Sequence, residues 1–429
     1  MKFLDGINKE NLSWALYDWA NSAYATTVLA VFFPVFFSEF WSSGAEPSVT
    51  TARLGIANSI IGVILMIIAP VLGTLSDISG SKKKYLMIAT AGGAVSTAVL
   101  YFTGGGEWTN ALMLYSVSSV CFSTGIIFYD ALLSSVAGKE KYNMVSSFGY
   151  SLGYLGGGVL LAVNILMTIK PKIFGLSSGS EAVRLSFVTV AVWWLLFSIP
   201  LFLFVKEKKT DTGKCDLLKR IRKSFLQISD TFRHIKEIRN VYLFLIAYWL
   251  YIDGVDTIIR MAMDFGLSIN LERNSLITAL LITQFVGFPA ALTAGLIFKG
   301  RDGARKGILI SIIAYLLITV LGAFMTTEFH FYLLAGAVGL VQGGIQALSR
   351  SYFAAIIPVD MSGEFFGFYN MIGKFAVILG PLFIAVTGLT LRNIGFSSGA
   401  ASRGGVLSVA VFFILGGIIF YMSGRDRQG

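Results

Sequence analysis

The chain has 429 residues, of which 55% are hydrophobic and only 14% charged, and it carries a formal net charge of +10. A soluble domain typically carries roughly 25% charge, so this composition, with a mean hydropathy of +0.73, excludes an ordinary water-soluble globule. Two cysteines, Cys121 and Cys215, are too few for a disulfide framework, no metal-ligand spacing exists, and the basic excess reads as positive charge retained on one side of a bilayer, not as a nucleic-acid surface.

The polar stretch through Asn11 runs directly into a long apolar segment, so the first helix is expected to act as an uncleaved anchor. A span needs ~20 apolar residues to cross ~30 Å of hydrocarbon. Segments of that length are predicted at Ser13–Phe40, Leu54–Leu75, Tyr85–Thr103, Thr109–Ala137, Val145–Ile169, Leu185–Val205, Val241–Gly266, Ser275–Phe298, Gly307–Thr326, Phe329–Pro358, Phe365–Leu389 and Gly404–Met422. Inside hydrocarbon the backbone must satisfy its own hydrogen bonds, which makes each of these a helix. The expectation is an all-α membrane protein with 12 transmembrane helices: a six-helix half over 1–205, a linker over 206–240 and a second six-helix half over 241–429.

An even number of spans places both termini on one side. Of the 34 lysines and arginines, 25 fall on the side of the termini, 8 on the other, and Lys374 lies inside a span. That bias puts both termini in the cytoplasm. The linker carries 11 basic and 5 acidic residues, and Leu217, Leu218, Ile221, Phe225 and Ile228 recur in it at helical spacing. It reads as an amphipathic helix on the membrane surface, or else as a partner-binding segment.

The connection between the second and third spans reads Gly73-Thr-Leu-Ser-Asp77-Ile-Ser-Gly80-Ser-Lys-Lys-Lys84. Its glycines permit a tight turn and close helix approach. Its Asp is suited to accept hydrogen bonds from backbone or from a neighbouring helix N-terminus. The matching place in the second half reads Gly295-Leu-Ile-Phe-Lys299-Gly-Arg-Asp-Gly303-Ala-Arg305-Lys306: the glycines and basic cluster recur, but Lys299 replaces the Asp and one residue is inserted.

Twelve spans, a six-plus-six division and this loop resemble the major facilitator superfamily. The first span narrows the resemblance: Trp14-Ala-Leu-Tyr-Asp18-Trp-Ala-Asn21-Ser-Ala-Tyr24 is similar to the signature of the Atg22-like family of vacuolar effluxers. Tyr251-Ile-Asp253-Gly-Val-Asp256-Thr-Ile, and the stretch from Gln346-Ala-Leu-Ser-Arg350-Ser to Gly363-Glu364-Phe-Phe-Gly367, resemble it too, so the likeness covers essentially the whole chain. The resemblance implies the major facilitator fold and a secondary transporter, not an enzyme, exporting amino acids or similar small polar metabolites; burial of an Asp, which favours its protonated form, suits it to a proton-coupled exporter. It implies no cofactor. The expected partners are a small-molecule substrate and membrane lipids, with the chain a monomer in a prokaryotic inner membrane. Efflux of hydrophobic compounds or lipids, and a non-transporting receptor or scaffold, are the rival readings.

Each charge inside a span costs roughly 2.5–3.5 kcal/mol at the helix centre on insertion scales, so each needs a partner or water. Asp18 and Asn21 in the first span, and Asp253 and Asp256 in the seventh, are three residues apart, which puts each pair on one helix face. With the flanking Tyr17 and Tyr251, these faces read as binding surfaces for substrate or proton, or as clasps that set helix packing. Asp130 in the fourth span and Arg350 in the tenth occupy equivalent depths and suit a latch between the halves, or else local satisfaction by backbone and lipid headgroups; with Gly73, Asp77 and Gly80 they are the expected gating residues. Lys374 requires a carboxylate, with Asp130, Asp253 and Asp256 all candidates, and completes the expected substrate- or proton-binding set. Glu364 is placed to cap the eleventh helix by its charge. No catalytic residue and no metal ligand is expected.

The orientation has a direct test. A fluorescent protein fused to the C-terminus is expected to fluoresce, and alkaline phosphatase inserted between Lys170 and Lys172 to be active but silent within 206–240. The reverse pattern would invert the topology.

Overall fold

The computed structural model describes residues 7–207, 233, 235–268 and 272–423. Among these residues are 12 helices long and apolar enough to cross a membrane. They are α1 (Lys9–Trp41), α2 (Pro47–Ser79), α3 (Lys82–Phe102), α4 (Trp108–Val136), α5 (Tyr142–Ile169), α6 (Gly179–Phe204), α7 (Arg239–Ser268), α8 (Arg273–Ile297), α9 (Gly300–Ala323), α10 (Glu328–Ile356), α11 (Ser362–Asn393) and α12, which runs over Ser398–Ser408 and, after Val409, over Ala410–Met422. Every expected span finds its helix, most of them longer than hydropathy alone marks out. Cys215 and the amphipathic pattern of Leu217 to Ile228 lie outside the described residues.

The chain forms two compact units. The first comprises Met1–Ala137, Leu152–Ser224 and Asp360–Gly367; the second comprises Gly138–Ser151, Phe225–Val359 and Phe368–Gly429. Each therefore takes one short segment from the other half of the sequence: the start of α5 packs in the second unit, the start of α11 in the first. Within the first unit α3 packs on α4 and α6, and α1 on α6; within the second α8 packs on α10, α9 on α10, and α7 on α12.

Local sequence explains the starts and stops. Asn8 and Asn11 form a reciprocal cap at the head of α1, each side-chain oxygen accepting the other's backbone N–H. Beyond Ala23 the helix widens into π turns over Tyr24–Phe32 and Phe37–Trp41. Hydropathy gave no sign of them. Pro34 lies between the two stretches and has no N–H for the ladder, and Thr26 Oγ1 turns back to the carbonyls of Ser22 and Gly157 at 3.0 and 3.2 Å. α2 ends at Gly80, whose φ of +58° is left-handed and whose N–H returns to the Asp77 carbonyl. Ile56, Ile60, Val63 and Ile67 stay exposed along one face of α2, the stripe expected of a lipid-facing helix.

Close approach in the first unit is made by glycine. A methyl at Gly156 would run into the Trp19 carbonyl and ring, and one at Gly157 into Thr26 and the Ser22 carbonyl, so α5 touches α1 backbone to backbone. Gly62 on α2 has open space around it. Gly156→Leu is therefore expected to lower the unfolding temperature of the purified protein, by the equivalent of about 1–3 kcal/mol or more. Gly62→Leu should leave it unchanged; equal melting of the two would contradict this packing.

Candidate functional site

The candidate polar residues fall into separate groups, each built within one unit. In the first, α1 presents Tyr17, Asp18 and Asn21 on consecutive turns, all buried. The Tyr129 hydroxyl of α4 donates to Asp18 Oδ2 at 2.8 Å. The Tyr17 hydroxyl meets Thr90 Oγ1 of α3 at 3.0 Å. Trp14 stacks on the Tyr129 ring at 4.4 Å and donates its indole N–H to the Tyr129 carbonyl. Asp18 is thus held by an aromatic clasp that joins α1 to α4, and Tyr129 is the member that spacing missed. Its sole sequence signal was its place beside Asp130.

In the second unit Asp253 is fully buried on α7. Its Oδ1 accepts the Gly380 backbone N–H of α11 at 3.0 Å and the Thr257 hydroxyl at 3.3 Å. Gly380 precedes Pro381, which cannot donate to the helix ladder, and a methyl at Gly380 would collide with the Thr257 hydroxyl. Asp253 therefore binds α7 to the proline-bearing turn of α11. One turn on, Asp256 is half-buried, and Arg260 and Lys374 are its electrostatic neighbours. Of the three carboxylates open to Lys374, Asp256 is the one that the second unit brings to it. The two aspartates of α7 accordingly do different work: Asp253 on backbone, Asp256 among cations. Tyr251 is fully buried, and its hydroxyl lies 2.7 Å from Ser349 Oγ of α10.

The gating candidates show the clearest geometry. Asp77 pairs with Lys82 at 2.7 Å, and its two oxygens accept the N–H groups of Gly363 and Glu364 at 3.0 and 2.7 Å. These are the unfilled donors of the first turn of α11. Glu364 lies in that first turn, where its charge faces the helix N-terminus as expected, and Asp77 adds the hydrogen-bonding cap. Gly73 lets α2 and α11 touch, since a methyl there would strike the Gly363 carbonyl. Arg350 is buried on α10, donates from Nε to Ser146 Oγ and from Nη2 to the Ser146 carbonyl at 2.9 Å each, and lies 4.3 Å from the centre of the Tyr150 ring. Asp130 is buried on α4. Among the described residues no group of three or more His, Cys, Asp or Glu side chains is placed to hold a metal ion.

Twelve helices of spanning length with carboxylates and cations inside them define a multi-pass, all-α membrane protein, and solved structures share its fold. The chain is similar to the human organic anion transporter MFSD10 (TM-score 0.72, 13% identity, 96% of this chain and 99% of that one). It is likewise similar to the proton:xylose symporter XylE (TM-score 0.67, 12% identity, 96% and 94%). At such identities the likeness concerns the major facilitator fold alone. Sequence gives the family: the model described as vacuole effluxer Atg22 like matches residues 48–428, and the chain belongs to that family. It is 38% identical to the MFS-type transporter YxiO of Bacillus subtilis, over 96% of this chain and 94% of that protein. It is 26% identical to autophagy-related protein 22 of Yarrowia lipolytica, where the match spans half of the relative's length. The protein is thus an integral, multi-pass transporter of the major facilitator type.

The Asp253 contact yields a graded test. Asp253→Ala removes the carboxylate that accepts the Gly380 N–H and the Thr257 hydroxyl, and is expected to destabilise the purified protein by about 1–3 kcal/mol. Asp253→Asn keeps an acceptor oxygen and should retain most of the thermal stability. Equal loss in both variants would mean that the charge, and not the backbone contact, is what α7 requires.

Proposed function

We propose that this protein is a secondary transporter that exports amino acids or similar small zwitterions by alternating access, with its two six-helix halves rocking about a midplane site. The observation that carries the substrate class is the grouping of Asp256 with Lys374 and Arg260 inside membrane-spanning helices. An ammonium and a carboxylate on one small molecule need opposite partners, and charge-assisted hydrogen bonds are the strong ones. The carboxylates at Asp18, Asp253 and Asp256 are the groups to which protons would bind to drive export. The bias of basic residues supports cytoplasmic termini, and the bacterial relative supports a prokaryotic plasma membrane. The working unit is a monomer that meets lipids and a small-molecule substrate.

The test is efflux from proteoliposomes loaded with single radiolabelled amino acids. Acidifying the outside is expected to speed efflux several-fold. Asp256→Asn and Lys374→Ala are each expected to slow it at least about tenfold, a loss near 1.4 kcal/mol, while the proteins still reconstitute. Efflux of no amino acid, together with thermal stabilisation by amphiphiles only, would overturn this reading in favour of lipid or drug export.

A further inference from the structure

Where α1 ends and α2 begins, the first unit holds a cleft that the transport reading does not use. Its volume is about 440 Å³, within the range of small-molecule sites. The loop from Trp41 to Glu46, Val49 and Arg53 of α2, and Gly106 and Trp108 at the head of α4 line it. Its frame is fixed. The Trp41 indole N–H donates to the Thr103 carbonyl, and the Gly106 N–H to the Phe40 carbonyl, at 3.2 Å each. The α1–α2 and α3–α4 connections are thereby tied together. Trp41 is fully buried against the rings of Phe33 and Phe187, at 5.3 and 5.6 Å between centres.

Three polar groups of this cleft lack a counterpart among the described residues. Ser42 is 2% exposed, and its hydroxyl meets no protein donor or acceptor. Buried polar groups are nearly always paired, so an orphan calls for a reason. The half-buried Arg53 holds its guanidinium 3.9 Å from the centre of the Trp108 ring. A ring face attracts the cation but accepts no conventional hydrogen bond, so the N–H donors stay available. Glu46 is exposed at the head of α2, and its side chain makes no capping bond there. No ion pair joins Glu46 to Arg53 among the described residues. Two opposite charges thus line one cleft without neutralising each other, an arrangement that complements a molecule carrying both charges itself.

We propose that this cleft binds a zwitterionic head, an ammonium and an anionic oxygen group a few bonds apart. Arg53 and the Ser42 hydroxyl take the anionic end, Glu46 takes the ammonium, and the carbon stem lies against Val49. Charge-assisted hydrogen bonds at both ends give such a head its advantage over a molecule with one charge. A free amino acid and an ethanolamine phospholipid both offer this chemistry. The cleft belongs to the first unit, whereas Asp256 and Lys374 belong to the second. It is therefore separate from the proposed transport site and does not rest on what that site carries.

The experiment uses the full chain in maltoside detergent with fluorotryptophan at its seven tryptophan positions, the Trp108 signal being assigned with Trp108→Phe. Asp256→Asn is present throughout to silence the other candidate site. Free glycine and dihexanoyl phosphatidylethanolamine are titrated separately while fluorine resonances are followed. At least one of them is expected to shift the Trp108 signal saturably, with acetate and ethylammonium each binding at least about tenfold more weakly. A response to glycine assigns the site to a free small molecule, and a response to the phospholipid alone assigns it to a lipid head; either supports the proposal. Arg53→Gln and Glu46→Gln are each expected to weaken binding at least about tenfold, with the remaining fluorine signals in place as the mark of an intact fold. The absence of a saturable shift with both zwitterions would overturn the proposal, and so would acetate binding as tightly as they do. Neither of these outcomes needs a variant at the cleft to fold. Binding unchanged in both Arg53→Gln and Glu46→Gln would overturn it as well.

Discussion

A polar atom buried between helices has no water to fall back on, and each unit is organised by that constraint. Unpaired backbone and side-chain groups cost several kcal/mol in this setting, so the helices meet where such groups can be exchanged. Asp77 meets the open N–H groups of α11. Asp253 meets the N–H beside Pro381. Asn143 meets the carbonyls at the α8–α9 joint. Helix ends and kinks, which are weaknesses in an isolated helix, become the points at which one helix recognises another.

The same constraint separates residues that look alike. Asp253 and Asp256 sit three apart on one helix, yet Asp253 binds backbone and is fully buried, whereas Asp256 is half-buried near Arg260 and Lys374. Asp18 is closer to Asp253 in kind: it accepts from a tyrosine that is itself stacked on a tryptophan. Carboxylates enclosed by fixed donors organise helices, whereas Asp256 stands among cations.

Much of this was legible in the residues. The twelve spans follow from apolar length, and a loop Asp at a helix N-terminus follows from charge and dipole. The need of Lys374 for a carboxylate follows from the cost of burying a cation. What was not legible depends on which helix faces meet. Tyr129 lies 111 residues from Asp18, and Gly380 lies 127 from Asp253. Nothing in local periodicity announces such pairings. Asn143 was invisible for a further reason: an amide side chain carries no charge, breaks no pattern, and acquires meaning only beside the carbonyls it joins.

The π turns of α1 carry an evolutionary implication. A wide turn holds a surplus residue relative to the ordinary ladder, so deleting one residue between Tyr24 and Trp41 converts a wide turn to a normal one, and the span keeps its length. The same deletion between Lys9 and Ala23 would rotate one side of the helix by about 100° against the other, turning Asp18 and Asn21 away from α4 and α5. Among relatives, changes in chain length should therefore collect in the outer portion of this first span, while the inner portion keeps its count even where its residues drift.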